Sequence, residues 1–299
     1  MWWILFDPNR FLMYNVVVFV LLSYTTALIN SRHPTSAICF LTRRLMRETD
    51  RFAAELAQNG SSIDIYILVD DNSMTLPSTT SLVHYLQLNE TICSKYGFLG
   101  ASQPYRKTCL AWDKALYYFA KLNTHHLFVW FVESDVLIPS VQAFFALHEL
   151  YSTSTDLVST TNVIDFDGTL TEWTLWQTAA DTFFPPWSHS MISAVGCSRR
   201  LLSLINEYAA WRGRLPYVEV LFQTLAIQDT KMIRVTPFEL STIEYRVTFT
   251  FAQLQARPYS WWHPIKSYRF QKIWREKLAN ITSQRSVYKP NTISLLNSI

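Results

Sequence analysis

A chain of 299 residues that is 49% apolar, with 11 Trp and 19 Phe, carries core material for one large α/β domain or two small ones. Its formal charge of +3 is too small to argue for nucleic acid as a partner. With only 6 glycines and neither a GxGxxG nor a Walker A pattern, a Gly-rich phosphate loop is excluded.

From Phe11 to Ile29 there are 19 residues without a charge, bounded by Arg10 and Arg32. As a helix this stretch spans roughly 28 Å, close to the ~30 Å hydrocarbon core of a bilayer. A secretory h-region is shorter, about 7–15 residues. The reading is a signal anchor at 11–29, with a short cytosolic tail at 1–10 and a short stem at 30–36. Small residues at Thr25 and Ala27 keep a cleaved, secreted form as the alternative. The charges flanking the stretch nearly balance, so they set its orientation weakly. Sequons at Asn59, Asn89 and Asn280 favour a lumenal chain beyond the anchor. The cysteines Cys39, Cys93, Cys109 and Cys197 lack metal-ligand spacing. Cys39 reads as a core thiol, and Cys93 and Cys109 flank one loop where an oxidising lumen would let them pair.

The predicted elements begin with a buried strand, Ala37–Thr42, and a helix from about Arg43 that stops at Asn59-Gly60. Ile63–Val69 is a second strand ending in Asp70-Asp71-Asn72, which makes a βαβ unit with a right-handed crossover. Residues 73–106 read as a long polar loop with one short helix at Ser81–Leu88. A helix over Thr108–Leu122 follows, with Asp113 and Lys114 in its first turns on an expected solvated face. The central strand comes next, Leu127-Phe-Val-Trp-Phe-Val-Glu-Ser-Asp-Val-Leu-Ile-Pro139, whose unbroken apolar run suits burial on both faces of a mostly parallel sheet. Beyond it lie a helix Val141–Leu150, a strand Asp156–Thr160 and a Trp-rich connection. A helix capped by Ser198 and stopped at Gly213 follows, then a helix Tyr217–Ile227 begun by Pro216. A strand Lys231–Val235 and a basic helix near Tyr268–Leu278 complete the pattern. The domain proper is placed at 37–270, with a tail at 271–299.

Asp70 and Asp71 end one buried strand, and Glu133 and Asp135 end another. Parallel strands bring both pairs to the same sheet edge, where ligands of open α/β sheets sit. Carboxylates at such an edge are costly unless something cationic meets them, and a hard divalent ion bridging Asp135 to a diphosphate would do so. Glu219 lies in the first turn of its helix, off the Val218/Leu221/Leu225 stripe, and His263 sits among aromatics just before a proline. Plain readings stand beside these: turn residues at Asp70 and Asp71, a macrodipole-favoured charge at Glu219, and a packed histidine at His263.

This order, with strand, helix, strand ending in Asp-Asp-Asn, then Trp112-Asp-Lys-Ala, then an apolar strand into Glu-Ser-Asp, resembles a GT-A-fold glycosyltransferase. More narrowly it is similar to Golgi-type enzymes whose metal motif reads Glu-Asp-Asp, as in the N-acetylglucosaminyltransferase I type. The resemblance covers roughly Ala37 to Lys266. It implies a Rossmann-like, mostly parallel sheet flanked by helices, and sugar transfer from a UDP-sugar donor to a hydroxyl of a glycan or glycoprotein. Asp135 would hold Mn²⁺ or Mg²⁺ against the diphosphate, with His263 as a late ligand and Lys266 neutralising the leaving group. Glu133, Ser134, Asp70, Asp71, Asp113 and Lys114 would line the nucleotide-sugar site, and Glu219 would be the general base of an inverting reaction. Ser134 departs from the pattern, standing where the family has an acid. The implied setting is a single-pass type II protein of the Golgi or ER membrane with a lumenal catalytic domain.

A competing motif, Val163-Ile-Asp165-Phe-Asp167-Gly-Thr169-Leu-Thr171, resembles the first motif of haloacid-dehalogenase-type phosphatases, with Asp165 as nucleophile and Asp167 as acid. No paired acidic motif follows it to hold Mg²⁺, and Asp167-Gly168 reads as a tight turn. A membrane-tethered domain that kept the fold and lost the metal is the third alternative.

Overall fold

The structure, a computed structural model, describes residues 35–60, 62–79 and 82–282. The expected anchor at 11–29, the tail before it and the stem up to 34 lie outside the described residues, as does the stretch from 283. Among the described residues no helix is long and apolar enough to cross a membrane.

The strands in chain order are β1 (Ser36–Thr42), β2 (Ile63–Val69), β3 (Val83–Leu86), β4 (Phe128–Glu133), β5 (Leu157–Val158), β6 (Asn162–Asp165), β7 (Trp187–Ser190), β8 (Ala194–Ser198) and β9 (Arg234–Val235). Seven of them form one sheet in the order β3-β2-β1-β4-β8-β5-β9, and β6 and β7 form a separate antiparallel ribbon. β1, β2, β3 and β4 run parallel, whereas β8 is antiparallel to both β4 and β5. The sheet is therefore mixed but mostly parallel.

Both faces of the sheet are covered, which is why β1 and β4 read as continuous apolar runs rather than alternating ones. Ala37, Cys39, Leu41, Val129 and Phe131 enter one core; Ile38, Phe40, Phe128, Trp130 and Val132 enter the other. This is the two-residue period of a strand read against two helix layers. The helices are α1 (Arg47–Asn59), α2 (Glu90–Lys95), α3 (Ala111–Leu116, continued as a π-helical turn over Tyr117–Leu122), α4 (Val141–Tyr151), α5 (Trp176–Ala180), α6 (Arg199–Arg212), α7 (Val218–Gln228), α8 (Phe251–Ala256) and α9 (Tyr268–Thr282). α3, α6 and α7 pack on the first face, and α1 and α4 on the second. Gly213 ends α6 in the left-handed region, at φ 68°, where a side chain would be strained.

Several elements differ from expectation. The short helix expected at Ser81–Leu88 is instead strand β3, because Val83-His84-Tyr85-Leu86 finds a parallel partner in β2 and buries Val83. α2 follows it, capped by the Asn89 side chain accepting from the Thr91 and Ile92 amides. α1 begins at Arg47 rather than Arg43, and α3 at Ala111 rather than Thr108. The Trp-rich connection holds β6, α5, β7 and the core strand β8. Cys93 and Cys109 are both buried as free thiols.

α9 runs through the boundary expected at 270. Gln271 donates to the carbonyls of Ser134 (2.9 Å) and Ile265 (2.8 Å), and Arg275 donates to Ile138 O at 3.1 Å. Arg275 also pairs with the buried Glu48 of α1 and lies over the Phe52 ring at 4.1 Å. The helix thus holds the loop that follows β4. Removing one partner of a buried pair leaves the other charge stranded. Arg275→Met is expected to lower stability by about 3 kcal/mol in urea unfolding, and Glu48→Gln added to it to restore part of the loss.

Candidate active site

β4 is fully buried from Phe128 to Val132 and emerges at the sheet edge with Glu133. The chain turns at Ser134, whose N–H donates to Leu41 O at 2.9 Å, and Asp135 follows. Leu137 and Trp262 exchange backbone hydrogen bonds (2.8 and 3.0 Å), and Ile265 N–H donates to Asp135 O at 2.7 Å. This zipper carries His263 from a distant part of the chain onto the carboxylates.

The ligand atoms of Glu133, Asp135 and His263 all lie within 4.8 Å of one another. His263 Nε2 is 3.5 Å from Asp135 Oδ1 and 3.9 Å from Glu133 Oε2. Its Nδ1 is 2.9 Å from Glu244 O, a carbonyl that can only accept, so Nδ1 carries hydrogen and Nε2 turns toward the carboxylates. Ser193 Oγ is 3.1 Å from the same Nε2. Burial pulls the His263 ring down, but the two carboxylates outweigh it and hold it above its ordinary value. The cluster therefore draws positive charge toward itself. Two carboxylate oxygens and an imidazole nitrogen oriented by a backbone carbonyl fit Mn²⁺ or Mg²⁺, with Mn²⁺ better suited to the nitrogen.

Two cavities open beside this cluster. One, of about 400 Å³, is lined by Glu133, Ser134, Asp135, Lys266 and Tyr268. The other, of about 910 Å³, is lined by Asp70, Asp71, Asn72 and Lys114. Arg43, Ala111 and Trp112 line both, which makes them neighbours in one cleft.

The expected site residues divide into two groups. Glu133, expected to line the nucleotide-sugar site, lies in the cluster with Asp135 and accepts from Trp112 Nε1 at 2.8 Å. Lys114 is buried, not solvated, and its ammonium is 2.7 Å from Asp70 Oδ1 and 2.8 Å from Asp70 O. Lys266 is exposed at the smaller cavity. Ser134 Oγ meets Tyr268 OH at 3.3 Å.

Asp71 lines the larger cavity but forms a turn, accepting from Ser73 N–H at 3.0 Å and pairing with Arg44 at 3.1 Å. These hydrogen bonds, chiefly from Ser73, hold its carboxyl below the usual range. Asp113 does not reach the cleft. It is fully buried and accepts from the amides of Ala101 (2.8 Å), Leu110 (3.0 Å) and Ser102 (3.4 Å), so it folds the preceding loop over α3.

Glu219 opens α7 and receives the Tyr217 hydroxyl at 3.2 Å. Burial pushes its carboxyl up to about 7; the Glu133 charge adds to the shift, and Tyr217 and His263 oppose it. It therefore feels the charges of the cluster and is poised to exchange a proton near neutrality. Trp112, Ser193 and Arg43 were missed as site residues. Arg43 follows the carboxyl end of β1 and was open to the same strand-end reasoning, whereas Ser193 precedes a strand that the pattern hid.

The competing motif is used structurally. Asp165 is buried and accepts from Gly168 (2.8 Å), Leu170 (3.1 Å) and Thr169 (3.2 Å), and Asp167 accepts from the Thr169 hydroxyl. A carboxylate occupied by loop amides, on a ribbon outside the main sheet, is not presented as a nucleophile.

No protein-family model matches the chain, and no curated protein matches it in sequence. Solved structures that align with it include 4-diphosphocytidyl-2C-methyl-D-erythritol synthase from Anaerococcus prevotii, at 12% identity over 67% of this chain and 85% of that one, with a TM-score of 0.36. The galactosyltransferase LgtC, crystallised with donor and acceptor sugar analogs, aligns at 12% identity over 85% and 97%, with a TM-score of 0.40. The mannosyltransferase Ktr4p from S. cerevisiae aligns at 10% identity over 64% and 65%, with a TM-score of 0.31. At this degree of likeness, function rests on the site itself.

The Glu219 carboxyl has a stability consequence. Its folded value, about 7, lies above the ordinary 4.5, so the native state binds more protons than the unfolded chain between the two. Stability is therefore lost as pH rises through that window, and the cost is complete above it. Glu219→Gln is expected to raise the melting temperature at about pH 8, by roughly 1–2 kcal/mol in stability, and to change little near pH 4.

Proposed function

We propose that the chain is a metal-assisted glycosyltransferase moving a sugar from a UDP-type donor to a hydroxyl of a glycan or glycoprotein, with inversion. The observation that carries this reading is the Glu133/Asp135/His263 cluster at the end of β4, open to a cleft that continues to Asp70 and Lys114. A divalent ion held by these three residues would supply Lewis acidity to the leaving diphosphate. Lys266 and Arg43, exposed cations on the wall of the smaller cavity, neutralise the phosphate oxygens. The Lys114–Asp70 pair orders the wall of the larger cavity, which receives the nucleoside. Glu219, held by Tyr217, takes the proton of the attacking hydroxyl as the sugar bond forms on the opposite face. Ser134 leaves the cluster one acid short of the family pattern, and His263 restores a third donor. The lumenal, membrane-anchored setting belongs to the same proposal; the uncharged 11–29 stretch and the exposed Asn59 and Asn89 support it.

A donor-hydrolysis screen with several nucleotide sugars and Mn²⁺ tests the reading. Asp135→Ala is expected to lose donor turnover by roughly 100-fold or more; turnover indifferent to that change contradicts it. Glu219→Gln is expected to lower kcat by about 10²–10⁴ with the donor KM retained, and to remove the acid limb of the pH–rate profile near neutrality. Since His263 must shed its proton to ligate, Mn²⁺ affinity measured by titration calorimetry is expected to fall as pH drops below the imidazole's raised value.

A further inference from the structure

At the opposite edge of the sheet, three donor atoms converge without any part in the cleft. Asp64 is the second residue of β2, and His125 and His126 lie on the approach to β4; β1 runs between them, Ala37 pairing with both Asp64 and Val129. His126 Nε2 is 2.9 Å from Asp64 Oδ2, and His125 Nε2 is 3.9 Å from the same oxygen. The two imidazole centroids are 3.9 Å apart. Ligand atoms of all three residues lie within 4.8 Å of one another.

We propose that Asp64, His125 and His126 form a second metal site, for a transition-metal ion of the Zn²⁺ or Ni²⁺ class. With ligand bonds of about 2.0–2.2 Å, a tetrahedral ion separates its donors by about 3.4 Å. The observed separations of 2.9 and 3.9 Å fall on either side of that figure, so small side-chain shifts complete the site. Two imidazoles and one carboxylate favour Zn²⁺, Ni²⁺ or Cu²⁺ over the oxygen-seeking Mg²⁺ and Ca²⁺. An Asp64–His126 hydrogen bond is a sufficient structural role for those two residues; His125 brings a third donor atom to within 3.9 Å of the same oxygen.

The site is built and also reachable. His126 is fully buried, its ring packed edge-on to Tyr66 (centroids 5.7 Å), and Arg199 donates to its carbonyl at 2.9 Å. The Arg199 guanidinium is otherwise directed at the Phe119 and Asn123 carbonyls, which leaves the Asp64 side for the ion. The His125 side chain is 53% exposed, which gives a path for entry. Such an ion clasps β2 to the start of β4 roughly 20 Å from Glu133, at ~3.3 Å per strand residue.

Equilibrium dialysis and thermal unfolding of the full chain with Zn²⁺ at about pH 7.5, where free imidazoles are neutral, test the proposal. In an Asp135→Ala background, which removes a ligand of the cleft, the chain is expected to retain a bound equivalent of Zn²⁺ and a Zn²⁺-dependent rise in melting temperature. Adding His125→Ala, a change at a half-exposed side chain, is expected to weaken Zn²⁺ at least roughly tenfold and abolish the rise. Asp64→Asn is expected to do the same. Zn²⁺ binding and stabilisation unchanged by both substitutions would overturn the second site and leave the reading of the cleft standing.

Discussion

The structure turns on one electrostatic requirement. Glu133 and Asp135 stand side by side at the carboxyl end of a fully buried strand, and two carboxylates so placed need a positive charge between them. The fold meets that need in stages. β4 and the turn after it supply the acids, and the zipper between residues 135–137 and 262–265 delivers His263. Glu244 fixes the tautomer of the ring, and Gln271 of α9 holds the Ser134 carbonyl. The same field draws the imidazole toward protonation. A divalent cation would answer the same field more strongly.

The rest of the cleft follows from the strands beside β4. β1 ends near Arg43 and β2 ends at Asp70, and parallel alignment sends both to the same edge as Glu133. The cleft thus alternates in charge, with acids at the cluster, Arg43 and Lys266 on the walls, and a neutralised Lys114–Asp70 pair further along. That arrangement suits a ligand with an anionic middle and polar ends. Glu219, at the start of α7, has its proton affinity set by burial and by the Glu133 charge. The same burial that tunes Glu219 costs stability above neutral pH, the usual tension between a working site and a relaxed one.

The strands that build the site were legible because their burial leaves a plain pattern. β1 and β4 are almost unbroken apolar runs, β2 is one interrupted by Asp64, and each gives way to charge at Arg43, Glu133 or Asp70. β8 was hidden for a physical reason. A Cβ on Gly196 would come within 2.7 Å of the Phe128 ring, so the strand uses glycine where a strand signal would want a branched residue. β3 was hidden because His84 and Tyr85 interrupt its apolar character. Asp113 misled in the other direction. A charge in the first turn of a helix is usually solvated, but here the loop through Ala101 and Ser102 folds over it and satisfies it with amides. Asp165 was likewise ambiguous until its three amide donors were seen. Local motifs name the chemistry a residue is able to do; its hydrogen-bond partners decide whether the residue is available to do it.

The most direct measurement of the central claim is pulsed electron paramagnetic resonance on the full chain with Mn²⁺ and a nucleoside diphosphate. The account predicts nitrogen coupling to Mn²⁺ from His263 together with phosphorus coupling from the diphosphate. The nitrogen signal is expected to vanish in His263→Gln and to persist in His125→Ala. A spectrum with no nitrogen coupling, or one unchanged by His263→Gln, would contradict it.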